Sequence, residues 1–229
     1  YQYSTEVASV FTDATGAFSY EFNFLTGNYN IQIYYRNGSG DDILINAYVP
    51  QFTFTMNGNY IWGYGTPLTA IVASLEDDIG NLKATQTTFA NATGWYSVYL
   101  NTTAEFGDVA IVAFDSFVYE QELVALTIDG DADTNTVFGT VPPNAWLNVF
   151  NRDTFGSNNY EFRYFYADGA GNYFINFNDV RPANYLEVIY WENGTRDRVR
   201  LYSYVSALYV DHTRDFYSIA PEESGNGDI

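Results

Sequence analysis

The chain has 229 residues, 28 acidic against nine basic side chains, a net charge of −19, no cysteine, and 22 Tyr, 18 Phe and 4 Trp. An apolar fraction of 47% is too high for a disordered polyelectrolyte. The absence of cysteine excludes disulfide scaffolds, zinc–thiolate sites and iron–sulfur clusters, and the acidity disfavours a phosphate-backbone partner.

No run approaches the roughly 18 apolar residues of a spanning helix. Lys83 is the only lysine, so the acidity reflects missing lysine more than surplus carboxylate. The chain opens on Tyr1, which reads as a processed or partial chain.

In chain order, period-two alternation predicts strands throughout. Ala17–Phe24 carries Phe18, Tyr20, Phe22 and Phe24 on one face, and Tyr29–Tyr35 carries Tyr29, Ile31, Ile33 and Tyr35. Tyr173–Phe177 repeats the pattern. Asn37-Gly38, Asn57-Gly58, Asp129-Gly130 and Asn193-Gly194 mark turns. No window has a capped 3.6-residue period, so the predicted fold class is all-β, built from short sandwich strands.

One turn motif organises the chain. Asp13-Ala14-Thr15-Gly16-Ala17-Phe18 returns as Asn91-Ala92-Thr93-Gly94-Trp95-Tyr96 and as Asp168-Gly169-Ala170-Gly171-Asn172-Tyr173, in steps of 78 and 77 residues. Asp or Asn caps the turn, Gly supplies positive φ, and an aromatic starts the return strand inward. Ile61-Trp62-Gly63-Tyr64 matches Val137-Phe138-Gly139-Thr140 and then Phe216-Tyr217-Ser218-Ile219, each followed by proline. Phe52-Thr53-Phe54, Leu126-Thr127-Ile128 and Leu208-Tyr209-Val210 read as the strands closing each unit.

Gly63, Thr66-Pro67-Leu68, Ala70-Ile71-Val72, Thr88 and Asn91–Tyr96 together resemble the carboxypeptidase-regulatory-like domain. The resemblance implies a transthyretin-like, immunoglobulin-related β-sandwich of about seven strands, used as a structural or adhesive module on secreted and surface proteins. It supplies no catalytic residues. The expected organisation is three tandem sandwiches: an incomplete one over 1–55, then 56–130 and 131–211, with a tail over 212–229.

The incomplete first unit and the strand-like Phe216, Tyr217, Ser218 and Ile219 suggest donor-strand complementation, the tail of one subunit completing the first unit of the next. A segment cut from a longer array explains the same phase mismatch. The expected role is a subunit of an extracellular filament, a homopolymer of copies of itself. An S-layer fragment or carbohydrate-binding adhesin is the alternative.

Asp129, Asp131, Asp133 and Asn135 alternate as in a loop that holds a hard cation such as Ca2+, or form a solvated acidic linker. Asp41-Asp42 and Glu76-Asp77-Asp78 read as hairpin tips. Sequons at Asn37, Asn91, Asn101 and Asn193 fall at predicted turns and mark candidate glycosylation sites. His212 is the only histidine, leaving little material for Ser-His or Cys-His chemistry, and the chain is read as non-catalytic. Trp62, Trp95, Trp146 and Trp191 form either a sugar-stacking platform or parts of the sandwich cores.

Overall fold

The structure is a computed structural model that describes residues 7–22, 29–36, 39–40, 42–153, 160–192, 197–206, 208–211 and 216–219. The chain is all-β, with strands assembled into immunoglobulin-like sandwiches, and no α-helix occurs among the described residues.

Seven strands form one sandwich: β3 (Gln51–Thr55), β4 (Tyr60–Tyr64), β5 (Ala70–Glu76), β6 (Leu82–Phe89), β7 (Trp95–Tyr99), β8 (Val109–Phe114) and β9 (Phe117–Glu122). Its sheets run β3-β4-β7 and β6-β5-β8-β9. The next seven strands repeat that plan: β10 (Asp129–Asp131), β11 (Thr136–Thr140), β12 (Trp146–Arg152), β13 (Tyr160–Tyr166), β14 (Asn172–Asn176), β15 (Tyr185–Trp191) and β16 (Arg198–Tyr204). Their sheets run β10-β11-β14 and β13-β12-β15-β16. Phe52, Phe54, Ile61, Ile71, Leu75, Tyr96 and Val112 fill the first core; Val137, Leu147, Val149, Leu186, Val188 and Val199 fill the second.

Two hairpins flank the sandwiches. β1 (Asn30–Arg36) pairs with β2 (Asp42–Tyr48), and β17 (Leu208–Asp211) pairs with β18 (Phe216–Ile219), both antiparallel. Phe52–Phe54, read from sequence as closing a unit, lies in β3 and pairs with the strand that follows, Phe52 opposite Gly63. Leu208–Val210 likewise pairs forward, with β18. Between β3 and β4 the short turn Met56–Asn59 makes the forward neighbour the accessible partner, so β3 opens a hairpin.

The repeated turn has the same hydrogen bonds in all three copies. The Oδ1 of Asp13 accepts the Thr15 and Ala17 amides at 2.8 and 3.0 Å. That of Asn91 accepts Thr93 and Trp95 at 2.9 and 3.0 Å, and that of Asp168 accepts Ala170 and Asn172 at 2.9 and 2.8 Å. Gly16, Gly94 and Gly171 all adopt φ near 85°. The aromatic that points inward is the second residue after Gly: Tyr96 and Tyr173 are buried, whereas Trp95 is exposed.

The amides around Asp168 hold its carboxyl below the usual carboxylate range, the Asn172 N–H contributing most. A depressed folded-state pKa gives stability that is present above about pH 3.8 and is lost as pH falls through the folded value. Asn91 makes the same turn without charge. Asp168→Asn is therefore expected to keep the fold at neutral pH and to remove one proton's worth of acid sensitivity. Urea midpoints near pH 7 and pH 3 test this: the variant should gain on the parent as pH falls, and parallel behaviour of the two chains would refute it.

Candidate functional site

A parallel pairing fuses the two sandwiches. β16 runs beside β3 with Arg198 opposite Thr53 and Arg200 opposite Thr55, which joins two sheets into one of seven strands, β13-β12-β15-β16-β3-β4-β7. Buried Asp197 accepts the Phe52 amide across this junction at 2.9 Å. The side chain of Asn57, in the β3–β4 turn, takes the Tyr202 amide at 3.2 Å and donates to the Tyr202 carbonyl.

The seven-stranded sheet buries one face in the two cores. Its other face is an aromatic surface, because successive side chains of a strand alternate and paired residues share a face. One row across it reads Trp146, Trp191, Arg198, Thr53, Trp62 and Ser97. A parallel row reads Tyr160, Arg152, Tyr185 and Tyr204, and Trp95 stands opposite Tyr64. All four tryptophans therefore lie on one outer face, which gives the platform geometry and not the core placement.

The rings contact one another. Trp146 stacks on Tyr164 with centroids 5.7 Å apart and meets Trp191 at 5.2 Å. Tyr185 stacks on Tyr202 at 5.6 Å, and the Arg198 guanidinium sits 4.0 Å from the Trp191 ring centroid. Such contacts contribute about 0.5–1.5 kcal/mol each beyond area burial and hold the face rigid.

A basin of about 610 Å³ opens on this face, lined by Trp62, Phe150, Tyr160, Tyr185 and the three arginines Arg152, Arg198 and Arg200. Glu187 and Asp153 also line it. Arg200 grips Glu187 through two nitrogens, at 2.8 and 2.9 Å, and donates to the Tyr185 hydroxyl at 2.8 Å. Burial pushes the Glu187 carboxyl up against the opposing pull of Arg200, and burial with the Glu187 charge pushes Tyr185 up to about 12. Thr53 and Thr55 are buried on the same face, and their hydroxyls have no hydrogen-bond partner among the described residues.

The acidic string is used by its own turn. Asp131 Oδ1 accepts the Asp133 and Thr134 amides at 2.8 and 3.3 Å, and Asp129 Oδ1 accepts the Gly130 amide. Asn135 holds a left-handed position (φ 56°) and accepts the Val180 amide at 2.8 Å. Asn59 does the same in the preceding sandwich, with φ 46° and the Ala104 amide at 3.0 Å. Among the described residues no three His, Asp or Glu side chains converge as a metal group. Asp77 caps the β5–β6 turn, accepting the Ile79 and Asn81 amides.

Among the sequons, Asn91 and Asn101 are exposed at turns. The Asn91 Oδ1 is engaged by Thr93 and Trp95, and its Nδ2 makes no bond to a described residue. Asn37, Asn193, His212, Asp41 and the tail beyond Ile219 lie outside the described residues.

No family model matches the chain, and no curated protein does. Among solved structures it is similar to a biofilm-associated protein BSP domain, with 17% identity and a TM-score of 0.26 over 67% of this chain and 28% of that one. It is also similar to a tetra-tandem repeat from the extending region of a large adhesion protein, with 14% identity and a TM-score of 0.26 over 85% and 65%. A third likeness is to the native conformation of Escherichia coli alpha-2-macroglobulin, with 14% identity and a TM-score of 0.24 over 81% and 18%. The chain thus spans less than two thirds of each of these proteins, and at such scores the likenesses carry no functional argument. No helix among the described residues is long and apolar enough to cross a membrane.

Proposed function

We propose that the chain is a non-catalytic structural subunit of an extracellular β-sandwich array, and that subunits join head to tail by strand donation. In this reading the β17–β18 hairpin of one copy completes the unit that begins at Asp13 in the next.

The observation that carries the reading is the exposure of Phe18. It is 47% exposed, whereas its counterparts Tyr96 and Tyr173 are 1% and 3% exposed. Those tyrosines belong to β7 and β14, which pair with β4 and β11. Residues 17–22 pair with no described strand. A Cβ on Gly94 or Gly171 would lie 2.4 or 2.2 Å from the carbonyl of Gly65 or Val141, the residue just after β4 or β11, while one on Gly16 would meet nothing within 4 Å. Both faces of the β1–β2 hairpin are also open, with Tyr34, Tyr35, Ile43, Leu44 and Ile45 exposed. In this reading a hairpin such as β3–β4 or β10–β11, supplied by β17–β18 of another copy, is what would cover Phe18, which no described strand covers.

Truncation after Ser206 tests this. The full chain should form end-to-end oligomers by light scattering and electron microscopy, with slow amide exchange over 17–22. The truncated chain should be monomeric and exchange fast there, and a peptide spanning Leu208–Ile219 should restore protection. A full chain that is monomeric at about 100 μM, or a truncated one that still assembles, would end the strand-donation reading. A second reading, a segment of a surface-layer protein or glycan-binding adhesin, is favoured by the aromatic outer face.

A further inference from the structure

We propose that the basin on the seven-stranded sheet is a binding site for an acidic polysaccharide, one whose sugar rings carry carboxylates. This does not depend on strand donation, because every lining residue belongs to the fused pair of sandwiches and none to the terminal hairpins.

Ring chemistry comes first. Trp62, Tyr160 and Tyr185 each present an aromatic side chain to the basin, and such rings stack against the apolar face of a sugar. These rings are held by their neighbours: Tyr185 by Tyr202, and Tyr160 by Phe150 at 5.7 Å. A preformed aromatic wall loses little side-chain freedom on binding.

Charge selects the sugar. In a chain of net charge −19, three of eight arginines line one basin. The two acidic lining residues already have cationic partners, Glu187 with Arg200 and Asp153 with Arg181 at 3.6 Å. Arg152 is exposed and makes no ion pair among the described residues. Guanidinium is the side-chain group whose fork matches a carboxylate, and its attraction is local, since the acidic remainder of the surface is screened beyond about 8 Å at physiological salt.

Extent favours a polymer over a small molecule. The lining runs from Tyr160 on β13 to Trp62 on β4, five strand steps apart, or about 24 Å at about 4.8 Å per step. The buried hydroxyls of Thr53 and Thr55 lie on that path, between the arginines of β16 and the rings of β4.

The test uses the full chain and two probes, an oligogalacturonate and the same oligomer with its carboxylates methyl-esterified, followed by tryptophan fluorescence and calorimetry. The charged oligomer should bind with a submillimolar Kd, and the neutral one about tenfold or more weakly. Raising NaCl from about 50 to about 500 mM should weaken the charged probe alone. Arg152→Gln and Tyr160→Ala change exposed side chains, so both should leave the far-ultraviolet dichroism unchanged and reduce affinity about tenfold each. Equal binding of both probes, no binding of either, or full affinity in Arg152→Gln overturns the proposal. A shift in self-association on Arg152→Gln without sugar binding also overturns it and assigns the face to a second copy.

Discussion

Replacing Gly139 with alanine is expected to destabilise the second sandwich by about 3–5 kcal/mol, the sum of overpacking and a lost buried hydrogen bond. An added Cβ would stand 2.0 Å from the Thr127 carbonyl oxygen and 2.7 Å from the Tyr173 hydroxyl, both closer than real atoms approach. The crowding has a purpose. Tyr173, paired with Gly139 across β11 and β14, passes its hydroxyl beneath the glycine and donates to Thr127 O at 2.7 Å. Burial raises the Tyr173 pKa well above the ordinary phenol value, so the group is a neutral donor at every working pH. Thr127 O is backbone and cannot swing aside, so strand β10 must shift or the pair must open. Thermal unfolding should show a fall in Tm of about 10 °C for a chain of this size.

The same crowding recurs at Gly63, where a Cβ would lie 2.2 Å from Gln51 O and 2.9 Å from the Tyr96 hydroxyl, and Gly63→Ala should overpack the first sandwich likewise. Tyr173→Phe removes only the donor and should cost about 1–2 kcal/mol. The double variant Gly139→Ala/Tyr173→Phe should lose less than the sum, since each single change breaks the same hydrogen bond. A Gly139→Ala chain within about 0.5 kcal/mol of the parent would refute this account of the glycine.

The glycine, its aromatic partner and the turn between them were all legible as a repeat, because each is a local demand of backbone geometry. Gly94 needs positive φ, and Asn91 needs two amides within four residues; both leave a signature six residues long. The tryptophans were legible only in part. In Trp146-Leu147-Asn148-Val149-Phe150-Asn151-Arg152 the aliphatic pair Leu147 and Val149 defines the core face, and the alternate set includes Asn148 and Arg152. A polar residue and an arginine in the same alternation as Trp146 and Phe150 mark that set as the outer face.

The fusion of the sheets left no local trace. Gln51-Phe52-Thr53-Phe54-Thr55 reads as a strand with one apolar and one polar face, yet all five residues are buried. The partner that covers its edge, Arg198–Arg200, is 145 residues away in sequence. A parallel pairing of that separation has no turn to announce it. The acidic string is legible in two ways: its spacing suits a cation loop, and the Oδ1 atoms of Asp131 and Asn135 also serve a turn.

Asp197 is where that hidden junction can be broken, and Asp197→Ala is expected to release β16 from β3. The carboxylate and the Phe52 amide it accepts are both on residues only 1% exposed, so truncation leaves a buried N–H without its partner, at a cost of about 1–3 kcal/mol. Asn57 is the second clasp on the same pair of strands, and Asp197→Ala/Asn57→Ala removes both. The amides of Phe52 and Tyr202 should exchange faster while those of Ile61 and Val188 do not. Hydrogen bond and charge can be told apart here. The Asp197 charge helps burial raise the Tyr119 pKa, burial being the larger cause. Asp197→Asn keeps an acceptor oxygen for Phe52 but loses the charge, so the junction should hold while Tyr119 titrates at lower pH than in the parent. If Asp197→Asn opens the junction as fully as Asp197→Ala, the negative charge and not the acceptor geometry is what binds the sheets together.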